Sequence, residues 1–184
     1  MTVLYRVVPW IASAREGEPG HPLYVPEQGG SGRADNPGKY RTLYLSDAPA
    51  GAVAEAFGTL RLWSAGMFTR PDLPGSVRAL ATYDTADDLA IFDLDDAGAL
   101  KTLGLRPSQV VTREREVTQG WALAIYKQGE WGGVRWWSYY DPRWYSYAVW
   151  KLAALTLRSG SVHPLTIDHP AVVEASDILG RRRS

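Results

Sequence analysis

The chain has 184 residues, in which 20 Lys+Arg balance 20 Asp+Glu, 45% of residues are hydrophobic and none is Cys. That length suits one domain spanning residues 1–184, and the apolar fraction excludes a disordered chain. Zero net charge disfavours general nucleic-acid binding, and the absence of Cys excludes disulfide scaffolds, Cys-based zinc sites and thiol catalysis.

The start, Met1 to Val8, lacks a charged segment followed by an apolar run, so no signal peptide is expected. No stretch approaches 18 apolar residues, so no membrane span is expected. Val3 to Val8 reads as a strand ending at Pro9. A long Gly- and Pro-rich loop follows, from about Glu16 to Lys39; loops of this length are usually functional or mobile. Thr42 to Ser46 predicts a second strand. Asp47 is placed to cap the next helix, with Pro49 in its first turn. Val53, Phe57 and Leu60 fall at helical spacing and carry that helix from Ala50 to Trp63.

Val77 to Tyr83 and Leu89 to Leu94 read as two strands joined by an acidic turn. Asp95 and Asp96 start a short helix reaching Leu103, and Val117 to Tyr126 reads as a helix apolar on most sides. Val134 to Trp137 and Tyr147 to Trp150 predict strands, His163 to Ile167 a last strand, and Pro170 to Leu179 a last helix. The mixture lacks strict βαβ alternation, which favours an α+β fold with a mainly antiparallel sheet. The aromatics are uneven: of 18 Trp and Tyr, 11 lie between Trp121 and Trp150. Such a cluster suits a core, an interface or a stacking platform.

Three segments have the composition of a site. In Gly29 to Gly38, glycines let backbone amides approach an anion, and Arg33 adds a bidentate phosphate donor. No Gly-Lys-Ser/Thr follows, so this is not a Walker loop, and a solvated Gly-rich loop would look the same locally. The second is Tyr44 with Glu55. Glu55 falls about 200° from Val53 at ~100° per residue, off the apolar stripe and beside Ala52, Ala56 and Thr59. Those small residues let a ligand or another element approach the carboxylate; a solvated outer-face Glu is the plain alternative. The third is Gly132 to Pro142, in which Ser138 follows a strand without a Gly-x-Ser-x-Gly elbow. A hydrogen-bonding role suits it better than nucleophilic attack. His21, His163 and His169 form no metal pattern, and the Asp clusters lack a Ca²⁺-loop spacing, so no metal is expected.

Taken in order, these segments resemble the RES domain family, named for an Arg, a Glu and a Ser. The resemblance runs through Tyr5-Arg6, Gly32-Arg33 with Asn36-Pro37, Leu43 to Ser46 and Ala52 to Glu55. It resumes at Thr118-Gln119 and Trp121-Ala122 and reaches Gly133 and Ser138. Arg33, Tyr44 and Glu55 stand eleven residues apart each time, in the family's Arg…Tyr…Glu order. The chain departs from the pattern at Ala34, where an aromatic is usual, at Trp137, often Pro, and at Tyr139-Tyr140, often a small residue and then Arg.

The resemblance implies a fold related to ADP-ribosyltransferases, with split, mainly antiparallel sheets and flanking helices. It implies an NAD⁺-degrading toxin, cleaving the nicotinamide–ribose bond as a glycohydrolase or phosphorylase and paired with an Xre-type antitoxin. It implies Glu55, Arg33 and Tyr44 as catalytic residues, with Arg6, Gly32, Asn36 and Ser138 binding the NAD⁺ substrate. Glu55 would face the charge developing on the ribose, Tyr44 would stack on nicotinamide, and Arg33 with Arg6 would hold the pyrophosphate. Trp121 is expected in the core, and Trp136 and Trp137 at the cleft or a partner surface. A cytoplasmic location is expected, and a homo-oligomer is compatible with the sequence. Two alternatives stay open: transfer of ADP-ribose to a protein, and a non-catalytic aromatic-rich binding module.

Overall fold

The computed structural model describes residues 1–26, 30–69 and 72–184. Along the chain run β1 (Val3–Trp10), β2 (Leu43–Ser46), α1 (Pro49–Phe57), β3 (Leu62–Trp63), β4 (Val77–Thr85) and β5 (Ile91–Asp93). Then follow α2 (Ala97–Thr102), α3 (Pro107–Val110), α4 (Arg115–Tyr126), β6 (Gly133–Trp137), β7 (Tyr145–Val149), β8 (Leu155–Pro164), α5 (Pro170–Ile178) and β9 (Arg182–Arg183). Seven strands build one sheet in the order β5–β6–β7–β2–β1–β4–β8. Its pairs are antiparallel except β5–β6. This is the expected α+β class, a mainly antiparallel sheet flanked by helices. No helix among the described residues is long and apolar enough to cross a membrane.

Strand alternation sorts the core. On one face Leu4, Val8, Leu43, Leu45, Tyr83, Tyr147 and Val149 pack together, covered in part by Leu23 and Val25. The opposite face carries two separate groups. Val7 and Leu80 pack under α1 and α5, with Val53, Phe57, Trp63 and Val172. Phe92, Val134, Trp136 and Ala148 pack under the α2–α4 segment, with Leu100, Trp121 and Ile125. The groups part where β1 meets β2, joined by a single register pair, Tyr5 with Ser46. The adjoining β1–β4 ladder holds eight register pairs, from Val3–Asp84 to Trp10–Val77. The expected split of the sheet takes this form, a weak seam inside a continuous sheet.

The tryptophans are largely core. Trp63 is fully buried, and Trp121, Trp136, Trp144 and Trp150 are also buried. Trp150 donates its indole N–H to the Trp131 carbonyl at 2.7 Å, and Trp121 meets Trp136 edge-on at 6.1 Å.

Several boundaries differ from those predicted. Helix α1 stops at Phe57: Gly58 closes it with its N–H on the Ala54 carbonyl, and a Cβ there would strike Tyr140. Leu60 is therefore exposed, and Trp63 reaches the core from β3, which pairs with β9. Asp47 does not cap α1. Ala48 is the N-cap, without a side-chain bond, and Asp47 instead accepts from the Tyr145 amide at 2.8 Å. Asp96 does cap α2, accepting from the Ala99 amide at 2.7 Å. Strands β4 and β5 are joined by the acidic turn as read, but they do not pair: β5 crosses to the far edge and pairs in parallel with β6. Helix α4 begins earlier, at Arg115, and buries one stripe, Thr118, Trp121, Ala122 and Ile125, rather than most sides. Strand β1 continues one residue past Pro9. Strand β8 begins at Leu155 rather than His163. It is an edge strand whose exposed Thr156, Arg158, Ser159 and Gly160 mask the period-2 pattern.

Leu4 is fully buried beside the seam and opposite Tyr83. Leu4→Ala is expected to cost about 2–5 kcal/mol, from the lost apolar burial together with the cavity left behind. Urea titration should show a lower midpoint with an unchanged slope.

Candidate active site

A cavity of about 330 Å³ opens over the seam between the two helical groups. Its volume lies near the low end of the roughly 300–1,000 Å³ usual for small-ligand sites. One side carries Glu55, Ala52 and Ala56 of α1, and the other Gly32, Arg33, Val111 and Arg115. Tyr44, Ser46, Trp136 and Ser146 form the floor on the helical face of the sheet. Arg6, Leu45 and Tyr147 also line the cavity, although alternation places their side chains on the opposite face of the sheet. Alternation along β1 puts Arg6 with Leu4 and Val8.

Glu55 is exposed to the cavity, as expected from its place off the apolar stripe among small residues. Its Oε1 accepts hydrogen bonds from Ser138 Oγ at 2.8 Å and Ser146 Oγ at 3.0 Å. Both serines are buried. Ser138 does not line the cavity. It sits behind the carboxylate, and its Oγ also accepts from the Tyr140 amide at 3.2 Å, which orients the hydroxyl toward Glu55.

The Arg33 loop is held by Asp35, a residue the sequence reading passed over. Asp35 Oδ2 accepts from the amides of Gly30 and Gly32 at 3.0 and 2.8 Å. Its Oδ1 accepts from the Tyr44 hydroxyl at 2.7 Å, and that hydroxyl accepts from the Ala34 amide at 2.9 Å. A Cβ on Gly32 would come within 2.3 Å of the Tyr44 hydroxyl, so glycine is required by this close approach. Gly29, part of the predicted loop, lies outside the described residues.

Arg33 is only partly available. Its Nη1 donates to the carbonyls of Val110 and Thr112 at 2.6 and 2.7 Å, and the guanidinium lies 5.9 Å from the Trp136 ring centre. Burial and the neighbouring Arg115 lower its pKa, against the opposing pull of Glu55 and Tyr44. An arginine so placed still stays charged. Arg115 donates through Nε to the Ser31 carbonyl at 2.9 Å and adds a second cation to the same wall. Arg6 is half-buried, and burial lowers its pKa, with Tyr83 opposing. Asn36 lies outside the cavity. Its amide donates to the Tyr40 hydroxyl and the Gln119 carbonyl, at 2.8 and 3.1 Å, and ties the loop to α4. Gln119 returns its own amide to the carbonyls of Gly30 and Gly32.

The structure thus brings Glu55, Arg33, Tyr44, Arg6 and Gly32 to one cavity, with Ser138 one bond behind it and Asn36 outside. Asp35, Arg115 and Ser146 are the additions. Asp35 carried no turn signal, because it accepts from amides three and five residues before it rather than after it. Ser146 carried none, because the predicted strand began at Tyr147. Among the described residues no group of three or more His, Asp or Glu is placed to hold a metal ion.

The RES domain family model matches residues 3–168. The chain belongs to the RES domain family. This RES domain also resembles a solved structure, the M. tuberculosis MbcT–MbcA toxin–antitoxin complex. The two chains share 17% identity and a TM-score of 0.60, over 97% of this chain and 89% of that one, a likeness of fold. No curated protein matches the sequence. Glu55, Arg33, Tyr44 and Ser138 all fall inside the matched span.

Burial and the Asp35 hydrogen bond push the Tyr44 phenol well above its ordinary value near 10. Burial pushes Tyr40 up to about 12, against the Asn36 hydrogen bond and with Asp35 and Tyr126 adding to it, and burial pushes Tyr83 up to about 12 against Arg6. Below pH 10 these phenols are neutral in both folded and unfolded chains. Above it the unfolded chain loses their protons first, so stability falls as pH rises. The urea midpoint is expected to fall steadily from about pH 10 toward 12, and Tyr83→Phe should reduce that slope.

Proposed function

We propose that this RES domain cleaves the nicotinamide–ribose bond of NAD⁺ and serves as the toxin of a toxin–antitoxin pair. The observation that carries the reading is the Glu55 carboxylate, anchored through one oxygen and facing a cavity walled by cations and an aromatic ring. As the bond breaks, nicotinamide leaves neutral and positive charge grows on the ribose. A fixed carboxylate stabilises that charge where it forms, without reorganising at that moment. Nicotinamide needs no proton to leave, which suits a site whose nearest polar partners are serines.

Tyr44 offers its ring to the pyridinium, and its raised pKa keeps the phenol neutral at physiological pH. Arg33 orients its segment with Nη1 and leaves its other N–H groups for a phosphate. Arg115 on the same wall and Arg6 on the floor complete the positive lining. Ser138 positions Glu55. The toxin assignment is supported by the family and by the likeness to a fold solved with its antitoxin. An Xre-type antitoxin is the partner this implies.

Purified protein is expected to release nicotinamide from NAD⁺, and Glu55→Gln should lower the rate at least tenfold with an unchanged melting temperature. Chromatography with mass detection separates free ADP-ribose, its phosphorylated form and label on a protein, hence hydrolysis, phosphorolysis and transfer. Expression should arrest growth in the wild type and not in Glu55→Gln. An active Glu55→Gln variant would falsify the assignment. For Tyr44, both the ring and the hydroxyl have a task. Tyr44→Phe should raise KM for NAD⁺ by releasing the Arg33 loop, and Tyr44→Ala should raise it further.

A further inference from the structure

Ser146 stands in β7, in register with Ser46 of β2 and Trp136 of β6, one strand in from the seam. It is buried, and the hydrogen bond to Glu55 Oε1 is the one its side chain makes among the described residues. A buried hydroxyl without a task is better replaced by a methyl group, since its desolvation goes uncompensated. Ser138 approaches the same oxygen from the loop after β6. Two hydroxyl donors therefore converge on Oε1, while Oε2 accepts no hydrogen bond from a described residue.

Resting on the reading of function above, the geometry points to Ser146 as a second positioning residue for Glu55. Together the two serines pin Oε1 and aim Oε2 at the reacting ribose. The strand fixes one donor and the loop the other, so the carboxylate is held against rotation about its last bond. Such support from rigid elements is what keeps a reacting group within a fraction of an ångström of its productive place. The division of labour follows from a second bond that, among the described residues, only Ser138 makes. Ser138 also ties down the Tyr140 amide, so its loss disturbs the loop as well. Loss of the Ser146 hydroxyl removes only the grip on Glu55.

The test compares Ser146→Ala and Ser146→Thr with the wild type in nicotinamide release, thermal melting and crystal structure. Ser146→Ala is expected to lower kcat at least fivefold, with KM for NAD⁺ and melting temperature nearly unchanged. Ser146→Thr, which keeps the hydroxyl, should recover at least half of the wild-type kcat. In the Ser146→Ala crystal the Glu55 carboxylate should rotate or occupy two conformers. A Ser146→Ala enzyme with wild-type kcat overturns the positioning role and leaves the function standing. A wild type that releases no nicotinamide overturns the function. In that case the crystal decides the role: a displaced Glu55 supports it, and an unmoved one overturns it.

Discussion

Strands β1 and β2 touch at one register pair, Tyr5 against Ser46, and the sheet parts around it. A continuous ladder would have closed the floor with backbone hydrogen bonds and kept side chains strictly to their own faces. At a seam, residues of both faces reach one space. Arg6 belongs to the lower face of β1, and Tyr44, Ser46 and Ser146 line the cavity from the helical side. The helical layer parts at the same place, because α1 with α5 and the α2–α4 segment each bury their own core group. The cavity results from two layers that fail to close along one line.

Such an opening must be held, since polar groups at its edge would otherwise collapse onto one another or need water. Here the work falls on short hydrogen bonds, some within the loop and others from distant parts of the chain. Asp35 gathers the Gly30 and Gly32 amides and the Tyr44 hydroxyl, and so fixes loop to strand. Arg33 reaches across to the carbonyls of Val110 and Thr112 and fixes the loop to the segment before α4. Gln119 and Asn36 close the circuit from α4 itself. Carbonyls at a helix end are natural acceptors for an arginine. The same residue can thus stiffen the wall and keep donors turned toward a ligand.

The fold class and most elements could be read in the sequence because the apolar periods are strong where residues are buried on one side. Misreadings cluster where burial does not control the pattern. The predicted extension of α1 to Trp63 followed Leu60, which is exposed, while the real end depends on Gly58 lying against Tyr140, 82 residues away. The two strands β4 and β5 and the acidic turn between them were legible, but their places in the sheet were not, because strand order is set by long-range pairing. At the site, Arg33, Tyr44 and Glu55 stood out through family spacing. Asp35 and Ser146 act through contacts that no spacing encodes, one to backbone amides and one across 91 residues of chain.

Three of the positions where this chain departs from the family pattern, Ala34, Tyr139 and Tyr140, have defined local surroundings. Ala34 is fully buried, its carbonyl accepts from the Tyr40 hydroxyl at 2.7 Å, and its amide binds the Tyr44 hydroxyl. Tyr40 and Tyr44 pack around it, so aromatic bulk is supplied from the next turn of chain rather than from position 34 itself. Tyr140 covers Gly58 at the end of α1 and so helps to set the height of the helix that carries Glu55. Tyr139 stands 69% exposed at the cavity mouth, with the Arg113 guanidinium 6.0 Å from its ring centre. An exposed aromatic at a mouth meets the ligand or the partner before the buried groups do. The departures therefore divide in two. Ala34 and Tyr140 serve packing inside the molecule, and Tyr139 at the rim is what the cavity first presents to solvent.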